Sequence, residues 1–125
     1  MKFTGHEIEL ARQIKEAGIE WTPEVGQYVF DTHGIIDKPS PFQDHVYFIL
    51  SMSQFVRIFG SAEEIAANCV WLPTWEQCRQ ILERRGVTNE QLMENLRRSQ
   101  AIEKGNERTV LYELILQSCR AKVGG

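Results

Sequence analysis

Cysteine is scarce in this sequence, and no two cysteines have the spacing of a metal or redox motif. The three residues, Cys69, Cys78 and Cys119, are odd in number and widely separated. A zinc ribbon and a thioredoxin-type site both need a CxxC pair, so the sequence excludes both. Cys78 falls on the apolar face of a predicted helix, and we expect it to be a buried free thiol.

Long hydrophobic runs are also absent. No stretch approaches the roughly 20 apolar residues that a membrane-spanning helix needs. The N-terminal stretch MKFTGHEIELARQIKEAG has no uninterrupted apolar core and does not resemble a secretory signal. We therefore expect a cytoplasmic protein that does not enter a membrane.

The sequence has no strong excess of one charge. Its 125 residues contain 14 Lys and Arg and 17 Asp and Glu, which gives a net charge of −3. Residues 1–66 hold ten of the acidic and five of the basic residues, so the remainder is mildly basic. Such a modest imbalance is typical of solvated helix surfaces, and no aromatic residue is interleaved with the arginines between Trp75 and Tyr112. We do not expect nucleic-acid binding.

Common catalytic motifs are missing too. The sequence contains no HExxH, GxSxG, P-loop or GxGxxG pattern. Potential metal ligands cluster in two short segments, Asp31-Thr-His33 and Asp44-His45. A metal site needs several such ligands converging on one point, whereas Asp31 also suits a turn and Asp44 a proline-rich loop. The absences favour a non-enzymatic protein without a cofactor or metal. The alternative is a small metal-assisted hydrolase that uses Asp31, His33, Asp44 and His45.

What the sequence does contain is a set of well-marked helix starts. Thr74 followed by Gln77 forms a capping box, in which each residue satisfies a backbone donor of the other. The helix that follows is expected to end at Gly86 and to place Trp75, Cys78, Ile81 and Leu82 on one apolar face. Further capping boxes begin at Thr4, Ser61 and Thr88. These signals predict helices from Thr4 to Gly18, from Ser61 to about Asn68, from Thr88 through Leu92, Met93, Leu96 and Ile102 to Lys104, and from Glu107 to about Ala121.

Strand signals lie between the first helix and Thr74. Aromatic and β-branched residues predict a strand over residues 27–31, a turn over 31–34 and a return strand that starts at Ile35. The run HVYFIL over residues 45–50 fits a central strand, and residues 70–72 before Pro73 read as extended. Residues 53–59 are compatible with either a helix or a strand. Strands that cluster between helices predict an α+β fold, in which residues 1–125 form one domain with a small antiparallel sheet packed against several helices.

One part of the sequence resembles a known group of proteins. The motif WLPT followed by a helix, together with the segment Ala17-Gly-Ile-Glu-Trp21, Pro23, Gly26 and Asp31, is similar to small uncharacterised proteins of phages and bacteria. The resemblance covers roughly residues 17–86. It implies a fold and no activity.

Two aromatic residues fall in predicted loops. Trp21 lies beside Pro23, and Phe42 lies in Asp37-Lys-Pro-Ser-Pro-Phe-Gln-Asp44, where Pro39 and Pro41 stiffen the chain. The ring of Phe42 either folds inward to cover the sheet or is presented to a partner or a second copy of the chain. With no catalytic motif present, we predict an interaction or accessory module that binds a protein partner or itself through Trp21 and Phe42. Trp71 is expected to be buried.

Overall fold

The computed structural model describes residues 2–124, with side chains described for residues 2–120. Contacts divide the chain into two compact units, which we describe separately. The first unit comprises the chain up to Thr4 and Glu20–Leu72, and the second comprises Gly5–Ile19 and the chain from Pro73 onward. That residues 1–125 form one domain stays a prediction. The described elements are α1 (Gly5–Glu16), β1 (Tyr28–Asp31), β2 (Val46–Phe48), α2 (Met52–Phe59), α3 (Ala62–Asn68), β3 (Cys69–Leu72), α4 (Trp75–Arg84), α5 (Asn89–Arg98), α6 (Ala101–Lys104) and α7 (Glu107–Gly124).

The first unit contains an antiparallel sheet with the strand order β2-β1-β3. Val29 at the centre of β1 lies opposite Tyr47 on one side and Trp71 on the other. Successive side chains of a strand point to opposite faces, so these three residues share one face. On that face, Val29 and Cys69 pack with α2 and α3 in a core that includes Phe55, Phe59 and Ile65. The predicted α+β class with a small antiparallel sheet packed against helices is confirmed.

Two strand predictions were wrong, and both concern the partner of β1. The chain does not return at Ile35; residues 32–45 form a loop, and β2 begins only at Val46. The Oδ2 atom of Asp31 accepts a hydrogen bond from the backbone N–H of Ile36 at 2.7 Å, so this donor serves the loop and not a strand ladder. The HVYFIL run supplies β2, which is an edge strand because β1 occupies the centre.

The undecided segment around residues 53–59 is helical. Ser51 caps α2 by accepting a hydrogen bond from the backbone N–H of Gln54, and Gly60 follows its last residue with a φ of 109°. A positive φ of this size favours glycine, which explains the sharp stop. Phe55 and Phe59 are both buried, as expected for residues four apart on one helical face.

The second unit consists of helices, and its predicted starts are confirmed. Thr74 and Thr88 each form a complete capping box with the glutamine three residues later. Trp75 was wrongly expected on the buried face of α4, because its side chain is 39% exposed. At about 100° per residue it lies at the margin of the stripe formed by Cys78, Ile81 and Leu82. The guanidinium carbon of Arg79 lies 5.4 Å from the centroid of its ring.

The helix predicted from Thr88 to Lys104 is interrupted. It ends at Arg98, and a second short helix begins at Ala101. Gln100 between them adopts a left-handed conformation with a φ of 55°, which breaks the helical path. The final helix continues to Gly124, beyond the predicted end near Ala121. No helix within residues 2–124 combines the length and apolar character needed to cross a membrane.

Candidate interaction surface

The proline-rich loop before β2 is fixed by hydrogen bonds from its own residues. The Ser40 hydroxyl donates to the carbonyl of Val46 and accepts the backbone N–H of Phe42 at 3.0 Å. The Tyr47 hydroxyl donates to the carbonyl of Lys38. These bonds hold the middle of the loop against the strand that follows it.

A second set of bonds holds the end of the loop. The side-chain amide of Gln43 accepts from the backbone N–H of Phe3 at 2.7 Å and donates to the carbonyl of the same residue at 2.9 Å. The backbone carbonyl of Gln43 accepts the N–H of Val46 at 3.0 Å and closes a tight turn. His45 in this turn has a φ of 68°, in the left-handed region. Phe42 therefore lies between two anchored residues, Ser40 and Gln43.

Despite this anchoring, the ring of Phe42 is 41% exposed. Its centroid lies 5.6 Å from that of Tyr28 in an edge-on arrangement, and Tyr28 in turn lies 4.7 Å from Phe48. Tyr28 and Phe48 are half-buried. We call these three residues, Phe42, Tyr28 and Phe48, the aromatic surface. It is a site for apolar contact, because half of its leading side chain is already covered and held in one position.

Acidic residues border the aromatic surface. Asp37 and Asp44 at the two ends of the loop are both exposed. The first unit as a whole contains seven Asp and Glu residues and three Lys and Arg residues, a net charge of −4. The field around Phe42 therefore favours positively charged groups.

Trp21, the other predicted partner-binding residue, lies on the opposite face of the sheet. It packs against the core that contains Val29, whereas Phe42 packs against Tyr28, the neighbour of Val29 in the strand. Its ring is stacked on Trp71 with the centroids 6.2 Å apart, and its indole N–H donates to the side chain of Gln27 at 2.8 Å. Trp21 and Trp71 are both half-buried, so the expectation that Trp71 is fully buried was wrong. Trp21 and Phe42 do not form one continuous surface.

The residues of the alternative metal site are not arranged as ligands. Asp31 is fully buried and holds Ile36 through one carboxylate oxygen, while Oδ1 has no hydrogen-bond partner among the described residues. His45 places Nδ1 at 3.1 Å from the backbone carbonyl of Asp31, and His33 and Asp44 are exposed. Within the described part of the chain, no three His, Cys, Asp or Glu side chains are grouped so that they could hold a metal ion.

Tyr47 reports the charges next to this loop. Burial raises the pKa of Tyr47, and the negative charges of Asp31 and Asp44 raise this pKa further. A neutral hydroxyl is the state that donates to the Lys38 carbonyl. The acidic side chains thus help to keep the loop hydrogen bond in place.

Comparison of this chain with protein-family models, with curated protein sequences and with solved structures found no match.

Proposed function

We propose that this chain is a non-enzymatic interaction module that binds another protein through the aromatic surface. The observation that carries the proposal is the exposure of the Phe42 ring on a loop that is fixed at both neighbouring positions. Large aromatic side chains dominate the energy of many protein interfaces. A loop that is ordered before binding loses little conformational entropy when the partner arrives.

The surroundings of Phe42 define the chemistry of the partner. An apolar side chain of the partner would cover the exposed ring and the adjacent edge of Tyr28. Lysine or arginine next to that side chain would face Asp37 and Asp44. The expected partner is therefore a protein segment that combines a large apolar residue with basic residues.

A cytoplasmic location is part of this proposal. The three cysteines are buried as free thiols, which suits a reducing compartment. The single large apolar residue of the loop, Phe42, then acts in association and needs no cofactor.

A random peptide library tests the proposal even while the natural partner is unidentified. Peptides are selected on the wild-type protein and counter-selected on Phe42→Ala. We expect an enriched pattern of an aromatic or aliphatic residue flanked by lysine or arginine. A selected peptide should bind Phe42→Ala at least about 30-fold more weakly, which corresponds to the roughly 2 kcal/mol typical of an interface anchor.

Ile58 on α2 provides a matched control. Its side chain is 43% exposed, close to the 41% of Phe42, but it lies outside the aromatic surface. Ile58→Ala should leave the affinity for the selected peptide unchanged. Peptides that bind Phe42→Ala as tightly as the wild type, or a selection that enriches nothing over the counter-selection, would contradict the proposal.

A further inference from the structure

A separate apolar patch lies on α5 and α6. Met93 is 54% exposed and Ile102 is 64% exposed, although the sequence pattern placed both in the stripe of one helix. They border an open groove of about 550 Å³ that Leu96 also lines. The interruption at Gln100 turns α6 away from the path of α5, so Ile102 forms the far wall of this groove.

Charged residues are ordered along the same face of α5. Glu90, Met93 and Arg97 are spaced three and four residues apart, so they follow one another along a single stripe. An acidic residue therefore lies on one side of Met93 and a basic residue on the other. Both charged residues border the groove.

Arg97 can bind a second carboxylate. Its Nε and Nη2 atoms donate to Glu94 on the same helix at 3.1 and 2.6 Å. A guanidinium group has five N–H donors in total, so further donors remain. The side chain of Arg97 is 76% exposed, which leaves these donors accessible from outside the chain.

From these features we infer that a second copy of this chain docks on the groove, with the two α5 helices antiparallel. The midpoint of the stripe from Glu90 to Arg97 falls next to Met93. A two-fold axis at that point places each Glu90 opposite Arg97 of the second copy, and brings Met93 of one copy to the groove of the other. A surface that is its own complement is the requirement for a symmetric dimer.

The size of the patch predicts weak association. A standard stable interface buries about 800 Å² on each partner, and two exposed apolar side chains supply only a part of that area. We expect a dissociation constant on the order of 100 μM. Sedimentation equilibrium at protein concentrations from about ten micromolar to about one millimolar spans that value.

Charge reversal tests the antiparallel arrangement. In Glu90→Arg the helix has arginine at both positions, and in Arg97→Glu it has glutamate at both, so each variant repels its own second copy. Each should self-associate at least about tenfold more weakly than the wild type. An equimolar mixture of the two variants restores both opposite-charge pairs and should associate with wild-type affinity.

Two further variants locate the contact. Glu83→Arg changes an exposed charge on α4 and should leave association unchanged. Phe42→Ala should also leave it unchanged, because the aromatic surface is a different site. A wild-type protein that stays monomeric at about one millimolar would overturn the inference, as would a mixture of the two reversal variants that does not associate. Loss of association in Phe42→Ala would instead place the self-contact on the aromatic surface and would equally overturn it.

Discussion

Neutralising Glu7 is expected to destabilise the second unit strongly. Glu7 on α1 is buried, and its carboxylate accepts hydrogen bonds from Arg108 at the start of α7: Nε donates at 3.0 Å and Nη2 at 3.1 Å. The Thr109 hydroxyl donates to the same carboxylate at 3.2 Å. Glu7→Gln keeps the shape of the side chain but leaves the guanidinium without its opposite charge.

The expected loss can be placed within the range for broken buried pairs. Removing one partner of such a pair typically costs about 3–5 kcal/mol, since the remaining charge is buried and uncompensated. The Glu7 side chain is 4% exposed, whereas that of Arg108 is 21% exposed and keeps some access to water. We therefore expect a loss of about 3 kcal/mol, at the lower end of this range.

Urea unfolding followed by circular dichroism measures this loss. The double variant Glu7→Leu/Arg108→Met removes both charges and should recover most of the stability. Glu94→Gln breaks an exposed ion pair on α5 and should give no measurable change. A loss below about 1 kcal/mol in Glu7→Gln, or a double variant no more stable than the single one, would refute the reasoning.

Two further predictions concern local features of α4 and the thiols. Thr74→Ala removes the acceptor of the Gln77 N–H, at 3.3 Å, and should lower the free energy of unfolding by about 1 kcal/mol, so an unchanged urea midpoint would contradict the cap. In the native state the thiols should not react with Ellman's reagent, because burial raises the pKa of Cys78 and keeps it protonated. All three should react once urea unfolds the chain, and a thiol that reacts at once in the native protein would contradict their burial. The residues concerned are Cys69, Cys78 and Cys119.

The features predicted correctly from the sequence depend on neighbours within a few residues. The capping boxes at Thr74 and Thr88 join residues three apart, so the pattern contains both members of each hydrogen-bonded pair. The strand β1 follows from its own aromatic and β-branched residues. Its partner strand depends on the Asp31 side chain, which captures the N–H of Ile36, and strand propensity does not include such a bond.

Features that depend on distant residues were missed. Glu7 was assigned to a capping box, and Arg108 to a charged surface, because 101 positions separate them in the sequence. The left-handed residue Gln100 has no glycine to announce it. These positions adopt their conformations because of packing, which local patterns do not report.

The candidate site shows the same division. The prolines and the acidic residues around Phe42 correctly indicated a loop, and the sequence left open whether its ring was exposed. The bond pair between Gln43 and Phe3 joins residues 40 positions apart, and it is the structure that reveals this anchoring.

The affinity of Phe42→Ala for a selected peptide tests the central claim most directly, provided that the stability of the same preparation is measured. A fully buried phenylalanine loses about 3–5 kcal/mol on truncation to alanine. Because Phe42 is 41% exposed, we expect Phe42→Ala to lose about 1–2 kcal/mol and to remain folded. The account predicts a folded variant that binds the peptide at least about 30-fold more weakly than Ile58→Ala does. A variant that loses more than about 3 kcal/mol of stability while binding the peptide with wild-type affinity would show that Phe42 serves the fold alone.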